Sequence, residues 1–287
     1  MSQSRSPRET CHDAPIVSPR PVVLTIAGSD PSGGAGIQAD LKTFHQHQVY
    51  GASVITVITA QNARGVTLVA PLAPALVCAQ LRAVLSDLPV RAIKLGALGT
   101  HEILAAVTEI LCEIPDIPLI VDPVLLSKNN HALLSPDARA TLRDALCPRA
   151  TLLTPNLPEA HWLTSDSPYP MDFTDDSLTS LAHALLSLGP AAVLLKGGHR
   201  AGDTVSDALY HQGQVHTFSH PRIATRHTHG TGCTLSAAIA ARLALGSSLP
   251  ESVQLANDFV HRAIAAAPGY LPADPSSVGP LDHFVHP

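Results

Sequence analysis

At 287 residues, 45% hydrophobic but only 3% aromatic, the chain is long enough for one large α/β domain with an aliphatic, alanine-rich interior. Its formal net charge of −5 comes with scattered lysines and arginines, which argues against a nucleic-acid partner, and no apolar run nears the roughly 18 residues of a membrane span. Five widely spaced cysteines without a C-x-x-C pair argue against a disulfide framework or structural zinc and suit a reducing cytoplasm.

The polar residues 1–20 lack the apolar stretch of a secretory signal and read as a disordered extension, with Glu9 and Asp13 counting against organelle targeting. Residues 21–287 read as a single domain, since no repeat or linker interrupts them. Short aliphatic runs predict strands at 22–27, 53–59, 92–96, 118–122, 151–154 and 191–196. Amphipathic stretches predict helices at 35–47, 73–86, 101–113, 136–146 and 175–188. The strand runs are continuous rather than alternating, as expected when both faces are covered. Their alternation with helices predicts a three-layer α/β domain, a mostly parallel sheet flanked by helices. A hairpin (208–211 and 214–218) and two closing helices (233–245 and 250–266) complete the chain.

In such sheets ligands bind beyond the carboxyl ends of the strands, and those loops are where the chemistry gathers. Thr228-His229-Gly230-Thr231-Gly232-Cys233 precedes a helical run. Its glycines let successive N–H groups face one point at a positive helix end, a site for an anion or a phosphoryl group in flight. Cys233 falls in the first turn, where the dipole is expected to lower its pKa and make it a base for a substrate hydroxyl. A glycine-rich turn with a buried cysteine would read the same way locally.

Gly28-Ser29-Asp30-Pro31-Ser32-Gly33-Gly34-Ala35-Gly36 joins a strand to a helix but lacks the Gly-Lys-Ser/Thr ending of a Walker A loop. It suits close approach of a flat ligand, with Asp40 available from the helix, or serves simply as a turn. Asp122 and Glu159 offer oxygen ligands of the kind Mg²⁺ prefers. Locally, Asn156 and Glu159 also form a helix-capping box. Lys196-Gly197-Gly198-His199 ends a strand with a cation and two glycines suited to ATP phosphates. The 16 histidines show no H-E-x-x-H spacing and read as ordinary residues. Four anion- or metal-competent loops at the strand ends of one sheet point to phosphoryl transfer.

Five ordered motifs carry a family resemblance: TIAGSDPSGGAGIQADLKTF (25–44), TAQNARGV (59–66), TPNLPEA (154–160), LKGGH (195–199) and THGTGCTLSAAIA (228–240). From residue 22 to the C-terminus the chain resembles bacterial hydroxymethylpyrimidine/phosphomethylpyrimidine kinase of the ribokinase superfamily. The resemblance implies an ATP- and Mg²⁺-dependent enzyme of thiamine biosynthesis. It would phosphorylate 4-amino-5-hydroxymethyl-2-methylpyrimidine to the monophosphate and then to the diphosphate. By motif, Gln61 would bond the aminopyrimidine edge, with Gly28, Ala35, Asp40 and Thr59 lining the pocket. Cys233 would be the base, and Gly230, Thr231, Gly232 and Cys233 the anion hole. Lys196, Gly198 and Thr228 would face ATP, Asp122 and Glu159 would organise Mg²⁺, and the enzyme would be a homodimer.

The chain departs from the family pattern in four places. Ala97 stands where Met is usual, opening one pocket wall. Lys128-Asn129-Asn130 replaces a glycine-containing lid segment, and His227 replaces a common Asn. Val278-Gly279-Pro280 keeps only part of a glycine-rich ending. A pyridoxal or pyridoxine kinase is the nearest rival reading, and a noncatalytic ligand-binding regulator is a rival of another class.

Overall fold

The computed structural model describes residues 19–125, 134–135, 137–165, 173–198, 202–269 and 277–287. Most of the predicted extension, the 128–130 segment, Pro136 and His199 therefore lie outside the described residues. A nine-stranded sheet runs in the order β3-β2-β1-β4-β5-β6-β7-β8-β9. Its strands are β1 (Val22–Ser29), β2 (Tyr50–Asn62), β3 (Gly65–Pro71), β4 (Val90–Leu95), β5 (Leu119–Val121), β6 (Leu152–Leu153), β7 (Ala192–Leu195), β8 (Thr204–His211) and β9 (Gln214–Pro221). The six strands from β2 to β7 in this order are parallel, while β3, β8 and β9 join antiparallel at the edges.

Alternate residues of each central strand feed two separate cores, which is why their sequence reads as continuous aliphatic. Leu24 and Ile26 of β1 share one core with Leu81 of α2 (Pro74–Asp87) and Leu104 of α3 (His101–Cys112). Val23 shares the other with Phe44 of α1 (Gly36–Gln46), Ile239 of α7 (Thr231–Ala244) and Phe259 of α8 (Leu249–Ala265). The helices thus lie on both faces, giving the three layers expected.

Local signals set several boundaries. Gln212 (φ 51°) and Gly213 (φ 75°) form the two-residue left-handed turn that joins β8 to β9. Asn156 accepts the Glu159 N–H and Glu159 accepts the Asn156 N–H, each at 2.8 Å, so the capping box opens a helix the strand-helix rhythm missed, α5 (Leu157–Thr164).

Three other expectations need correction. β2 extends past 59 and turns back as β3, whose residues are mostly exposed and lack a buried stripe. The predicted helix at 136–146 is one α turn, α4 (Ala138–Thr141), followed by a wide turn over Leu142–Leu146 and a 3₁₀ turn over Cys147–Arg149. Pro148 offers no N–H to the Asp144 carbonyl and crowds it, and the Cys147 N–H bonds Leu142 five residues back instead. β8 begins at Thr204, four residues before the predicted start, while α6 (Asp175–Leu186) begins where expected.

Candidate active site

The loop after β1 folds back on itself, and Asp30 is its internal anchor. The Asp30 carboxylate accepts from the Ser32 N–H (2.9 Å), the Ser32 hydroxyl (2.7 Å) and the Ala35 N–H (2.8 Å). His229 Nε2 completes this shell, 2.8 Å from Asp30 Oδ2. Burial works to raise the carboxyl's pKa, but the His229 and Ser32 hydrogen bonds outweigh it and hold Asp30 below the usual range.

Against this loop lies the start of α7. Gly230, its N-cap, has φ 84°, and a Cβ there would run into the Gly34 carbonyl. Only glycine meets both demands, so the two glycine-rich loops can touch. In the first turn the Thr231 N–H turns back to the Thr228 carbonyl at 3.4 Å. Helix geometry leaves the N–H groups of Gly232 and Cys233 without a carbonyl one turn behind them. Of the four residues expected from sequence, Thr231 is thus the one whose N–H already turns to a carbonyl.

The Cys233 thiol faces the Gly36 N–H, but the expected lowering of its pKa is not what the environment dictates. Burial pushes the thiol up to about 11, although Lys94 and the Gly36 N–H pull downward. The sequence argument counted the helix end but not the desolvation.

Beside Gly232 sit three charges from three strand ends. Lys196 Nζ lies 2.8 Å from Asp122 Oδ1 and 3.8 Å from Glu159 Oε2. A Cβ on Gly232 would be 3.3 Å from Lys196 Nζ and 3.5 Å from Asp122 Oδ2, so all of them crown the first turn of α7. Burial alone would lower Lys196, but the two carboxylates outweigh it and hold the ammonium above the ordinary lysine range. Glu159 is pushed up to about 7, chiefly by burial, with Lys196 pulling down. Two hard carboxylates converging on one cation are a donor set that fits Mg²⁺. Among the described residues no group of three or more His, Cys, Asp or Glu could hold a metal, so waters and phosphate oxygens would complete the shell.

Gly197 is held from below by a residue the sequence reading missed. Asp207 of β8, 7% exposed, accepts the Gly197 N–H at 2.8 Å. Burial pushes this carboxyl up to about 6. Because the folded state holds this proton longer than the unfolded chain, stability declines as pH climbs from about 4 through about 6 and stays lower above that. Asp207→Asn keeps an acceptor for Gly197 and removes this group's contribution, on the order of 2–3 kcal/mol. Thermal melts between pH 4 and 8 should show a shallower decline than wild type; an unchanged slope would refute the assignment.

Gly198 is exposed, with nothing within 4 Å of where a Cβ would stand. Gln61 follows an irregularity in the β2–β3 register and reaches His229, with Nε2 to Nε2 at 3.2 Å. Thr59 donates to the Ser29 carbonyl at 2.9 Å. A Cβ on Gly28 would lie 3.9 Å from that of Ala97, so Ala97 neighbours this loop.

Asp40 departs from its expected place. Rather than lining an open pocket it is fully buried, accepting from Lys94 Nζ (2.8 Å) and the Thr25 hydroxyl (2.6 Å). Burial raises its carboxyl against the downward pull of Lys94 and the Thr25 hydroxyl; burial would likewise lower Lys94, but Asp40 holds that ammonium above its ordinary range. Lys94, a charge within the aliphatic Ala92–Leu95 stretch of β4, was the available signal. The C-terminal segment also joins the site: the Val278 N–H bonds the Ala63 carbonyl and the His229 N–H bonds Gly279, both at 3.0 Å.

Comparison with known proteins assigns the chain to a family. The sequence pattern of the phosphomethylpyrimidine kinase family spans residues 30–274. The chain belongs to the hydroxymethylpyrimidine/phosphomethylpyrimidine kinase family. The relative of that name from Synechococcus elongatus is 47% identical over 92% of this chain and 97% of its own. Among solved structures, Clostridium difficile phosphomethylpyrimidine kinase is 41% identical with TM-score 0.74, covering 85% of this chain and all of its own. An ADP complex of Bacillus subtilis pyridoxal kinase is 35% identical with TM-score 0.82, covering 92% of this chain and 97% of its own. This is a phosphotransferase family of thiamine biosynthesis with the ribokinase-like fold, and its members use ATP. Among the described residues no helix is long and apolar enough to cross a membrane.

Proposed function

We propose that this chain phosphorylates 4-amino-5-hydroxymethyl-2-methylpyrimidine with ATP, and then its monophosphate, with Cys233 as the base of the first step. The observation that carries the reading is the meeting of Gln61, the Gly230 turn and the Lys196–Asp122–Glu159 cluster at the carboxyl ends of the strands. Gln61 binds the pyrimidine edge, because an amide offers a donor to a ring nitrogen and an acceptor to the exocyclic amine. Cys233, as thiolate, takes the hydroxymethyl proton. The freed oxygen bonds the γ-phosphorus as the bond to the ADP oxygen breaks, and the thiol later loses its proton to solvent. The N–H groups of Gly232 and Cys233 receive the charge of the moving phosphoryl group. Lys196, Gly198 and Thr228 hold the ATP phosphates. Asp122 and Glu159 would hold Mg²⁺, which neutralises phosphate charge when bound.

The deciding experiment incubates the aminopyrimidine alcohol with ATP and Mg²⁺ and separates monophosphate from diphosphate; both should appear in succession. The likeness to pyridoxal kinase supports one alternative, and a kcat/KM favouring pyridoxal at least about tenfold would replace the substrate named here. Gln61→Leu should raise KM for the aminopyrimidine by about tenfold or more, since it leaves the polar edge unpaired. An unchanged KM would refute that pose.

The chain is further proposed to work as a homodimer in the cytoplasm. Exposed Ile58 and Leu68 on the β2–β3 edge support the first, and the free thiols of Cys78, Cys112, Cys147 and Cys233 support the second. Sedimentation showing only monomer would remove the dimer.

A further inference from the structure

Which end of a glutamine amide is oxygen is decided by its hydrogen-bond partners. As placed, Gln61 Nε2 stands 3.2 Å from His229 Nε2, and Gln61 Oε1 stands 3.5 Å from the Thr59 hydroxyl. The partners of those two atoms argue for the reverse.

His229 Nε2 is 2.8 Å from Asp30 Oδ2, an oxygen that already accepts from the Ala35 N–H and the Ser32 hydroxyl. An ionised carboxylate only accepts, so His229 Nε2 must carry the hydrogen; a bare nitrogen would set lone pair against lone pair. A protonated Nε2 cannot receive an N–H from Gln61, but it can share its hydrogen with a second oxygen. On the other side, the Thr59 hydroxyl commits its hydrogen to the Ser29 carbonyl at 2.9 Å. Thr59 Oγ1 is then an acceptor, and the amide atom it prefers is nitrogen.

We infer that the Asp30–His229 pair and the Ser29–Thr59 pair together lock the Gln61 amide with its oxygen toward His229 and its nitrogen toward Thr59. His229 and Thr59 are therefore positioning residues that set specificity. The inference rests on the pose of the pyrimidine edge against Gln61. The locked amide keeps one lone pair and one N–H for the ligand, in a fixed order. That order suits a ring whose exocyclic group donates and whose adjacent nitrogen accepts. A 4-oxo pyrimidine, which presents an acceptor beside a ring N–H, would need the amide turned around. Turning it would set donor against donor at His229 and acceptor against acceptor at Thr59. The 4-oxo ring is thus refused by the supports of Gln61, although a free glutamine would accept either pattern.

The test compares kcat/KM for the 4-amino alcohol and its 4-oxo analogue. Wild type should favour the amino compound by about a hundredfold, as sites that strand a buried polar group do. In His229→Leu and in Thr59→Val the ratio should fall below about tenfold, through KM for the oxo compound dropping more than kcat changes. A ratio unchanged in both variants overturns the inference. Nitrogen-15 NMR of wild type should find His229 Nε2 protonated at pH 8, and a bare Nε2 overturns it whether or not the variants fold. A wild type that turns over neither alcohol counts against the proposed substrate instead, and the NMR result still decides the lock.

Discussion

Cys233→Ala should lower kcat for the first phosphorylation by about 10²–10⁴-fold, the usual effect of removing a general base, while the second phosphorylation changes far less. The difference follows from the acceptors. The hydroxymethyl oxygen must lose a proton to become a nucleophile, whereas a phosphate monoester is already largely dianionic near neutral pH, its second pKa being about 6. The same small side chain faces both acceptors, so a purely structural defect would depress both steps alike. Separate assays starting from the alcohol and from the monophosphate distinguish these outcomes. The pH dependence adds a second readout. With the thiol pushed up to about 11, the thiolate fraction is still growing at pH 9, so wild-type kcat/KM on the alcohol should keep rising there. The variant should be flat over the same alkaline range. Equal losses in both steps, or an alkaline rise that survives the substitution, would place the proton acceptor elsewhere.

Lys94→Met should be the most destabilising of the substitutions considered, by about 3–5 kcal/mol. Lys94 and Asp40 are both 0% exposed and meet at 2.8 Å between β4 and α1. Removing the ammonium leaves a carboxylate in the core with only the Thr25 hydroxyl, and Asp40 Oδ1 already lacks a partner. For a chain of this size the loss corresponds to a fall in Tm of about 10 °C. Adding Asp40→Leu to Lys94→Met should recover much of the stability, because an apolar pair replaces an unpaired buried charge. Differential scanning calorimetry of the single and double variants checks both statements. A single variant that melts within about 2 °C of wild type would show that the pair carries no such burden. Lys94 also draws down the Cys233 thiol, so the alkaline rise in activity should move to still higher pH in any Lys94 variant that folds.

The same contrast runs through the whole molecule. The order of strands and helices was legible because each is made by residues near one another in the chain. Continuous aliphatic runs mark strands covered on both faces, and an Asn with a Glu three residues on caps a helix. β3 was not legible, since an edge strand that buries little writes no pattern. The motifs singled out Gln61, Gly230, Cys233, Lys196 and Glu159, the strand-end rule added Asp122, and the fold gathers these candidates toward the carboxyl ends of the strands. Their electrostatic states came from elsewhere. Asp40 was read as a pocket residue because nothing local announces Lys94, 54 positions away, as its partner. His229 was part of a quoted motif, yet its orienting role depends on Asp30, 199 positions away. The rise in the Cys233 pKa reflects burial in the fold, against a helix-end effect that the sequence did display. Periodicity, capping and glycine turns are written by neighbours and survive in a bare sequence. Desolvation and ion pairing depend on which distant segments close over a group, and only the folded sheet decides that.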